Sequence, residues 1–250
     1  MTRHNANLFV SCFASSMVFL AATVVHAAPP FVTDDPEPVE YKHWEFYVAG
    51  SYNHEADQDE GMLPMVEVNY GVLPDVHLHL IAPVAFAHER GNSSHYGYGD
   101  TELGAKFRFV HESKYVPQIG TFPLVELPTG NDKLGLGNGK AQVFLPLWLQ
   151  KRFGEWTTYG GGGWWYNPGD DNQNFWRVGW EIQRPITDQV TLGGEIFHET
   201  AATRGETGHT AFNLGGFYDL TEHQHILFSA GRDFDGPSHF ACYLAFQLTL

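Results

Sequence analysis

Two apolar stretches of the chain, 116–127 and 140–153, flank a polar, glycine-rich connection over 128–139. Each stretch is close to the ~9–11 residues that a tilted strand needs to cross a bilayer, and neither approaches the ~18 apolar residues of a membrane helix. Pro123 and Pro146 also disfavour a helix, because proline has no backbone N–H and clashes with the preceding turn. The pattern predicts two long strands joined by a surface loop.

The same unit recurs along the chain, with apolar and polar positions alternating at a period of two. In 99–110 the polar positions include Glu102, Lys106 and Arg108, and in 174–185 apolar residues alternate with Arg177 and Glu181. The predicted strands are 42–51, 62–72, 75–87, 99–110, 116–127, 140–153, 156–166, 174–185, 189–199, 210–220, 224–232 and 239–250.

The connections between these strands alternate between long and short. The long ones are 51–61, 88–98, 128–139, 167–174, 200–209 and 233–239, and the short ones are 73–75, 112–114, 154–155, 187–188 and 221–223. Outer-membrane barrels have short periplasmic turns and longer external loops. The chain is therefore predicted to be all-β, a monomeric, transmembrane, antiparallel up-and-down barrel of about twelve strands in a bacterial outer membrane.

Aromatic residues cluster beside both kinds of connection. Trp148, Phe153 and Trp156 lie near a short turn, and the stretches 164–166 and 175–176 flank a long loop. These clusters predict the two aromatic girdles at the membrane interfaces.

The first 27 residues are predicted to be a cleaved signal peptide, with Arg3, an apolar run over 8–25 and a small-residue cleavage site ending at Ala27. Cleavage leaves Cys242 as the only cysteine, which excludes an internal disulfide. Residues 28–250 are predicted to form the barrel domain. Within it, the acidic, proline-rich segment 28–41 is expected to be an extended periplasmic lead-in.

The charge of the chain limits its partners. Its 14 Lys and Arg against 29 Asp and Glu give a formal charge of −15, whereas nucleic-acid binding needs a basic face. The expected partners are outer-membrane lipid, lipopolysaccharide, the barrel-assembly machinery during biogenesis and a small-molecule solute. No cofactor is expected.

Charged side chains are costly toward lipid and tolerated inside a barrel. The residues predicted to line the lumen, as a selectivity lining rather than as catalysts, are Glu45, Glu67, His77, His79, Glu102, Lys106, Arg108, Arg177, Glu181 and Glu195. Two readings stay open: a transverse field across an open pore, or a self-neutralising network that plugs it. If a loop folds inward, 128–139 is the expected one.

Other constellations favour structural roles. His77 and His79 share one strand face, but a metal site needs three or four ligands, so none is expected. The His-x-Ser at 111–113 falls at a predicted periplasmic turn and no Gly-x-Ser-x-Gly occurs, so catalysis is not expected. Glycines 160–163 lack the lysine-bearing loop of a phosphate cradle and are expected to let a bulky neighbour or an inward loop pack closely.

Two short motifs carry a family resemblance. LPTGN at 127–131 and GLGNG at 135–139, set between two apolar strands, resemble the centre of the phenol-degradation (MetA-pathway) family of Gram-negative outer-membrane proteins. The resemblance extends along the chain after the signal peptide and implies a channel or transporter. The expected function is passive uptake of small, hydrophobic or aromatic molecules. The alternatives are a non-conducting structural or binding barrel and an outer-membrane lipid hydrolase.

Overall fold

The computed structural model describes residues 30–55, 57–91, 93–236 and 239–250, so the predicted signal peptide and residues 28–29 lie outside the described part. The strands are β1 (Trp44–His54), β2 (Gln58–Leu73), β3 (Val76–Glu89), β4 (His95–Tyr98), β5 (Thr101–Val110), β6 (Gln118–Thr121), β7 (Leu124–Leu127), β8 (Gln142–Phe153), β9 (Trp156–Tyr166), β10 (Phe175–Pro185), β11 (Val190–Glu199), β12 (His209–Asp219), β13 (Gln224–Asp235) and β14 (Phe240–Thr249). One 3-10 turn, Asp132–Leu134, lies between β7 and β8. Within the described ranges, no helix is long and apolar enough to cross a membrane.

The sheet closes on itself. Except for β4 with β5 and β6 with β7, strands consecutive in sequence pair antiparallel, and β1 pairs with both β2 and β14. Both β4 and β5 pair with β3, and both β6 and β7 pair with β8, so each of these two couples forms one interrupted strand of the wall. The result is a closed, antiparallel, 12-strand barrel, which confirms the predicted fold class.

Two predicted strands are interrupted. The strand expected at 99–110 begins earlier, at His95, and breaks at 99–100, while that expected at 116–127 breaks at 122–123. Pro123 has no N–H to donate to a ladder, and its carbonyl instead accepts the Ala105 N–H at 3.2 Å. The break therefore follows from proline chemistry within the strand.

The first long connection is shorter than predicted. The sequence suggested a loop over 51–61, but the β1–β2 pairing continues from Ser51 opposite Met62 to His54 opposite Asp59. The Tyr52 hydroxyl donates to Asp59 at 2.8 Å, and the His54 ring lies 2.5 Å from the same carboxylate. These polar side chains bridge neighbouring strands, so their polarity does not mark a loop.

The two faces of the wall differ as the alternation predicted. On β10, Trp176, Val178 and Trp180 are exposed on the outer face, whereas Glu181 and Gln183 are buried on the inner face. Because the outer apolar band suits lipid and the inner face is polar, the strands are those of a membrane-spanning barrel.

The glycine run of β9 makes room for bulky neighbours, as expected. A Cβ on Gly163 would lie 2.5 Å from the Phe144 ring, and one on Gly161 would lie 3.1 Å from the Trp148 ring. Both aromatic rings therefore lie flat against the inner face of β9.

Candidate functional site

Residues 30–40, here called the plug segment, run through the interior of the barrel. The backbone N–H groups of Val32 and Thr33 donate to the Glu195 carboxylate on β11 at 2.8 and 2.7 Å. Further along, the Val39 N–H donates to Nδ1 of His77 on β3 at 3.0 Å. The plug segment therefore crosses the lumen from one wall to another. The structure corrects the expected periplasmic lead-in over 28–41, because residues 30–39 lie inside the barrel and the segment becomes exposed only at Glu40.

The middle of the plug segment is held by a buried lysine. Nζ of Lys106 lies 2.8 Å from the Asp34 carboxylate and 3.8 Å from that of Asp35. The Lys106 and Asp35 side chains are both fully buried. Burial raises the pKa of the Asp35 carboxyl to about 7, against the opposing attraction of Lys106.

The part of the plug segment nearest the short turns is held by a second set of contacts. The Glu37 carboxylate accepts hydrogen bonds at 2.9 Å from Arg152 and from Gln150 on β8. Its other oxygen lies 3.7 Å from the Arg108 guanidinium on β5. Three of the four carboxylates of the plug segment, those of Asp34, Asp35 and Glu37, thus meet three cations of the β5 and β8 walls.

The composition of the plug segment explains why it lies inside. Pro30, Pro36 and Pro38 have no backbone N–H, so the segment brings few donors that a narrow lumen would leave unpaired. Two of its carboxylates, those of Asp34 and Asp35, pair with the fully buried Lys106, and a buried cation without a partner is costly. The acidic, proline-rich composition therefore reflects a lumenal insert rather than an extended tether.

Three glycines on three strands let the plug segment lie against the wall. A Cβ on Gly71 would lie 1.9 Å from the Glu40 carbonyl oxygen, and one on Gly120 would lie 2.8 Å from the Pro36 side chain. A Cβ on Gly179 would lie 2.2 Å from the Thr33 hydroxyl. At these three positions any larger residue would force the plug segment or the wall to move.

The side chains predicted to line the lumen all point into the barrel. The His79 ring is hydrogen-bonded through Nδ1 to Asn69 at 2.6 Å and through Nε2 to Glu102 at 2.8 Å. The Asn69 amide in turn donates to the Glu67 carboxylate at 2.9 Å. The Tyr47 hydroxyl donates to Glu45 at 2.8 Å. The remaining predicted residues are in contact with the plug segment, as described for His77, Lys106, Arg108 and Glu195, or lie elsewhere on the inner face, as do Arg177 and Glu181.

Histidines and acids inside the barrel do not assemble into a metal centre. Within the described residues, no group of three or more His, Cys, Asp or Glu is arranged to hold a metal ion. His111 lies 3.2 Å from Asp75, and the Ser113 hydroxyl accepts the Val116 N–H at 3.2 Å, both at the turn between β5 and β6. The His-x-Ser pair therefore has structural partners at that turn.

An aromatic strip, which the sequence analysis did not identify, lines the interior. Its rings are buried and belong to one packed cluster: Phe122, Phe144, Trp148, Trp165 and Phe175. The Trp165 ring is stacked between the rings of Phe175 and Phe144, with centroid distances of 5.8 and 4.7 Å. The Phe144 and Trp148 ring centroids are 6.3 Å apart. Trp148, Trp165 and Phe175 were expected in the interfacial girdles, and the structure corrects this because their strand positions face inward.

A cation lies beside the strip. The Arg177 guanidinium carbon is 5.8 Å from the Phe144 ring centroid and 5.6 Å from that of Trp165. Its Nε donates to the Glu199 carboxylate at 2.6 Å. Arg177 is thereby fixed over the strip by a charged hydrogen bond on one side and by aromatic faces on the other.

One of the long connections contacts the strip, and another is held against the connection between β4 and β5. Ala202, in the connection between β11 and β12, packs against the cluster. The connection between β7 and β8 is held by Asp100, which lies between β4 and β5. The Asp100 carboxylate accepts the N–H groups of Gly130 at 2.8 Å and Asn138 at 2.6 Å. Leu136 of that connection is buried, and a Cβ on Gly97 would lie 3.2 Å from its side chain.

Comparison with a protein family agrees with this architecture. The model of the family described as "Putative MetA-pathway of phenol degradation" matches residues 42–246. The chain belongs to this family. The resemblance carried by the two glycine-rich motifs is thus confirmed. No curated protein matches the sequence.

Solved structures share the fold at low sequence identity. An outer membrane channel from Pseudomonas putida F1 is 15% identical with a TM-score of 0.76, and the match covers 90% of this chain and 100% of that one. The NanC porin is 9% identical with a TM-score of 0.58, covering 82% and 100%. The KdgM porin is 11% identical with a TM-score of 0.55, covering 81% and 98%. The fold is therefore that of outer-membrane barrels.

Proposed function

We propose that this protein is an outer-membrane channel for passive uptake of small, apolar or aromatic molecules. The aromatic strip is the observation that carries the proposal. A polar solute has little to gain from a row of inward-facing rings, whereas a planar apolar solute can exchange one ring contact for the next. Each such aromatic contact is worth about 0.5–1.5 kcal/mol, which is strong enough to guide a solute and weak enough to release it.

Passage requires the plug segment to move. Asp35 of the plug segment and the wall residues Trp148, Tyr159 and Lys106 are all fully buried. A solute that follows the strip inward therefore meets the plug segment before it reaches the periplasmic end. Transport in this scheme needs no covalent step.

Solute-driven swelling of liposomes tests the proposal. Phenyl glucoside supplies an aromatic ring on a molecule that crosses lipid slowly, and glucose is the matched solute without the ring. We expect phenyl glucoside to enter liposomes holding the folded protein faster than glucose does. Equal rates, or no swelling above empty liposomes, would contradict the proposal.

Two neighbouring tryptophans provide a matched pair of variants. Trp165 lies in the strip, whereas Trp164 lies on the opposite face of the same strand. Trp165→Ala should slow phenyl glucoside about two- to tenfold, as expected from the loss of an aromatic contact. Trp164→Ala should leave the rate unchanged, and an equal effect of both substitutions would remove the strip from the pathway.

A non-conducting structural or binding barrel is the second candidate, favoured by the filled interior. A variant lacking residues 30–38 separates the two functions. The channel function predicts faster swelling when these residues are removed, whereas a structural barrel predicts none. Heat-modifiable gel mobility establishes that each variant is folded.

A further inference from the structure

The aromatic strip ends beside the lysine that holds the plug segment. The Phe122 ring packs edge-on against the rings of His77 and His79, with centroid distances of 5.5 and 5.1 Å. Nζ of Lys106 lies 5.0 Å from the same ring centroid. An aromatic surface and a buried ammonium group are thus adjacent at the inner end of the pathway.

The ammonium group of Lys106 is paired only as long as the plug segment stays in place. Within the described residues its two ion pairs, to Asp34 and Asp35, both involve that segment. Displacing the segment would take both carboxylates away from this lysine, and separating the partners of a buried ion pair is unfavourable. An incoming solute that brings its own negative charge removes this penalty, and a neutral solute does not.

We infer that Lys106 and Phe122 form a binding site for an aryl carboxylate, and that Asp34 occupies this site as an internal stand-in for the carboxylate of the ligand. The inference rests on the proposed function, because the ligand reaches the site along the aromatic strip. The ring of the ligand packs against Phe122 while its carboxylate replaces that of Asp34 on Nζ of Lys106. Binding and displacement of the plug segment are therefore coupled.

The surrounding charges are compatible with an anion at this position. Asp35 leaves together with Asp34, since both belong to the plug segment. Glu45, which acts on Lys106 electrostatically, is engaged by the Tyr47 hydroxyl at 2.8 Å. Arg108 and Arg152 lose their Glu37 partner on the same displacement, so the β5 and β8 walls become more positive.

Equilibrium dialysis of the folded, full-length protein in detergent tests the site, with benzoate and benzyl alcohol as ligands. These molecules share a ring and differ in the carboxylate. A charge-assisted contact should make benzoate bind about tenfold or more tightly than benzyl alcohol. Lys106→Met should abolish the difference, and Asp34→Asn should strengthen benzoate binding because it neutralises the internal competitor without changing its shape.

Lys151 provides the matched control. It lies on β8 and is engaged by Glu112 at 2.7 Å at the turn between β5 and β6, away from the strip. Lys151→Met should bind benzoate as the unaltered protein does. If Lys106→Met does not fold, Asp34→Asn decides alone: unchanged or weaker benzoate binding overturns the inference.

The swelling assay separates this inference from the proposed function. If phenyl glucoside enters liposomes through the protein while benzoate binding ignores Lys106, the aromatic channel stands and the carboxylate site is wrong. If benzoate binds through Lys106 but no solute enters, the site stands as a binding site and the channel function fails.

Discussion

Replacing Lys106 by methionine should release the plug segment. The substitution keeps the length of the side chain and removes the charge that faces Asp34 and Asp35. Removing one partner of a buried ion pair costs about 3–5 kcal/mol. The Asp34 side chain is 19% exposed, so solvent lessens the penalty, and Asp35 can take up a proton. We therefore expect Lys106→Met to weaken docking of the plug segment by about 2–3 kcal/mol.

This free energy converts to about a 30- to 150-fold increase in the fraction of molecules with a displaced plug segment. A thiol reports that fraction directly. Thr33 is buried in the docked plug segment, with 2% of its surface exposed, so a cysteine there should react with a maleimide only after displacement. The background is Cys242→Ala, because Cys242 is the one free cysteine within the described residues.

We expect Lys106→Met to accelerate maleimide labelling of Thr33→Cys by the same factor, in protein folded in lipid. Lys151→Met in the same background controls for the loss of a lysine and should label at the unaltered rate. Equal labelling rates for all three proteins would refute the view that buried ion pairs hold the plug segment.

Two further predictions concern the same segment. Gly179→Ala should displace the plug segment, because overpacking against Thr33 costs about 1–3 kcal/mol. Thr33→Ala in the same chain should restore most of the docking. Swelling with phenyl glucoside measures both effects, since it should rise on displacement and fall on restored docking. Because burial raises the pKa of the Asp35 carboxyl from its usual acidic range to about 7, docking takes up a proton and is favoured at low pH. The rate of maleimide labelling of Thr33→Cys, corrected for intrinsic thiol reactivity, should therefore rise about tenfold from about pH 6 to about pH 8. Asp35→Asn should flatten this dependence. A rise that survives Asp35→Asn would show that Asp35 is not the group responsible.

The barrel was predictable because its determinants are local. Alternation at a period of two assigns each strand face, so Lys106 and Arg108 were expected inside and Phe107 outside, as the structure has them. The glycine run of β9 likewise signalled close packing before its neighbours were known. Polar connections were less reliable, because Tyr52 and Asp59 continue the pairing of β1 and β2 beyond the expected turn.

The plug segment was not predictable from the same rules. Residues 30–40 have neither periodicity nor a turn motif, and their place inside depends on cations contributed by distant strands. Charge complementarity offered the only signal, because a proline-rich stretch carries four carboxylates and the lumenal Lys106 needs a partner. Combining these two observations would have suggested the insertion.

The aromatic strip was missed for a different reason. Trp164 and Trp165 are adjacent, so they must point to opposite faces of β9, and only one of them can belong to a girdle. The middle parts of β8 and β9 are apolar or glycine on both faces, and only Gln142 and Gln150, near the ends of β8, mark its inner face. The strand register supplied what the pattern lacked, because Phe144 lies opposite Trp165 and Trp165 opposite Phe175.

The central claim is that solutes pass only when the plug segment moves, and a reversible crosslink tests it most directly. The Cβ atom of Thr33 lies 3.3 Å from an ideal Cβ on Gly179, close to the ~3.5–4.5 Å of disulfides, so Thr33→Cys with Gly179→Cys in the Cys242→Ala background should lock the segment to β10. We expect the oxidised protein to give no phenyl glucoside swelling above empty liposomes, and reduction of the same sample to restore it. Equal swelling before and after reduction, in protein shown to be crosslinked, would contradict the claim.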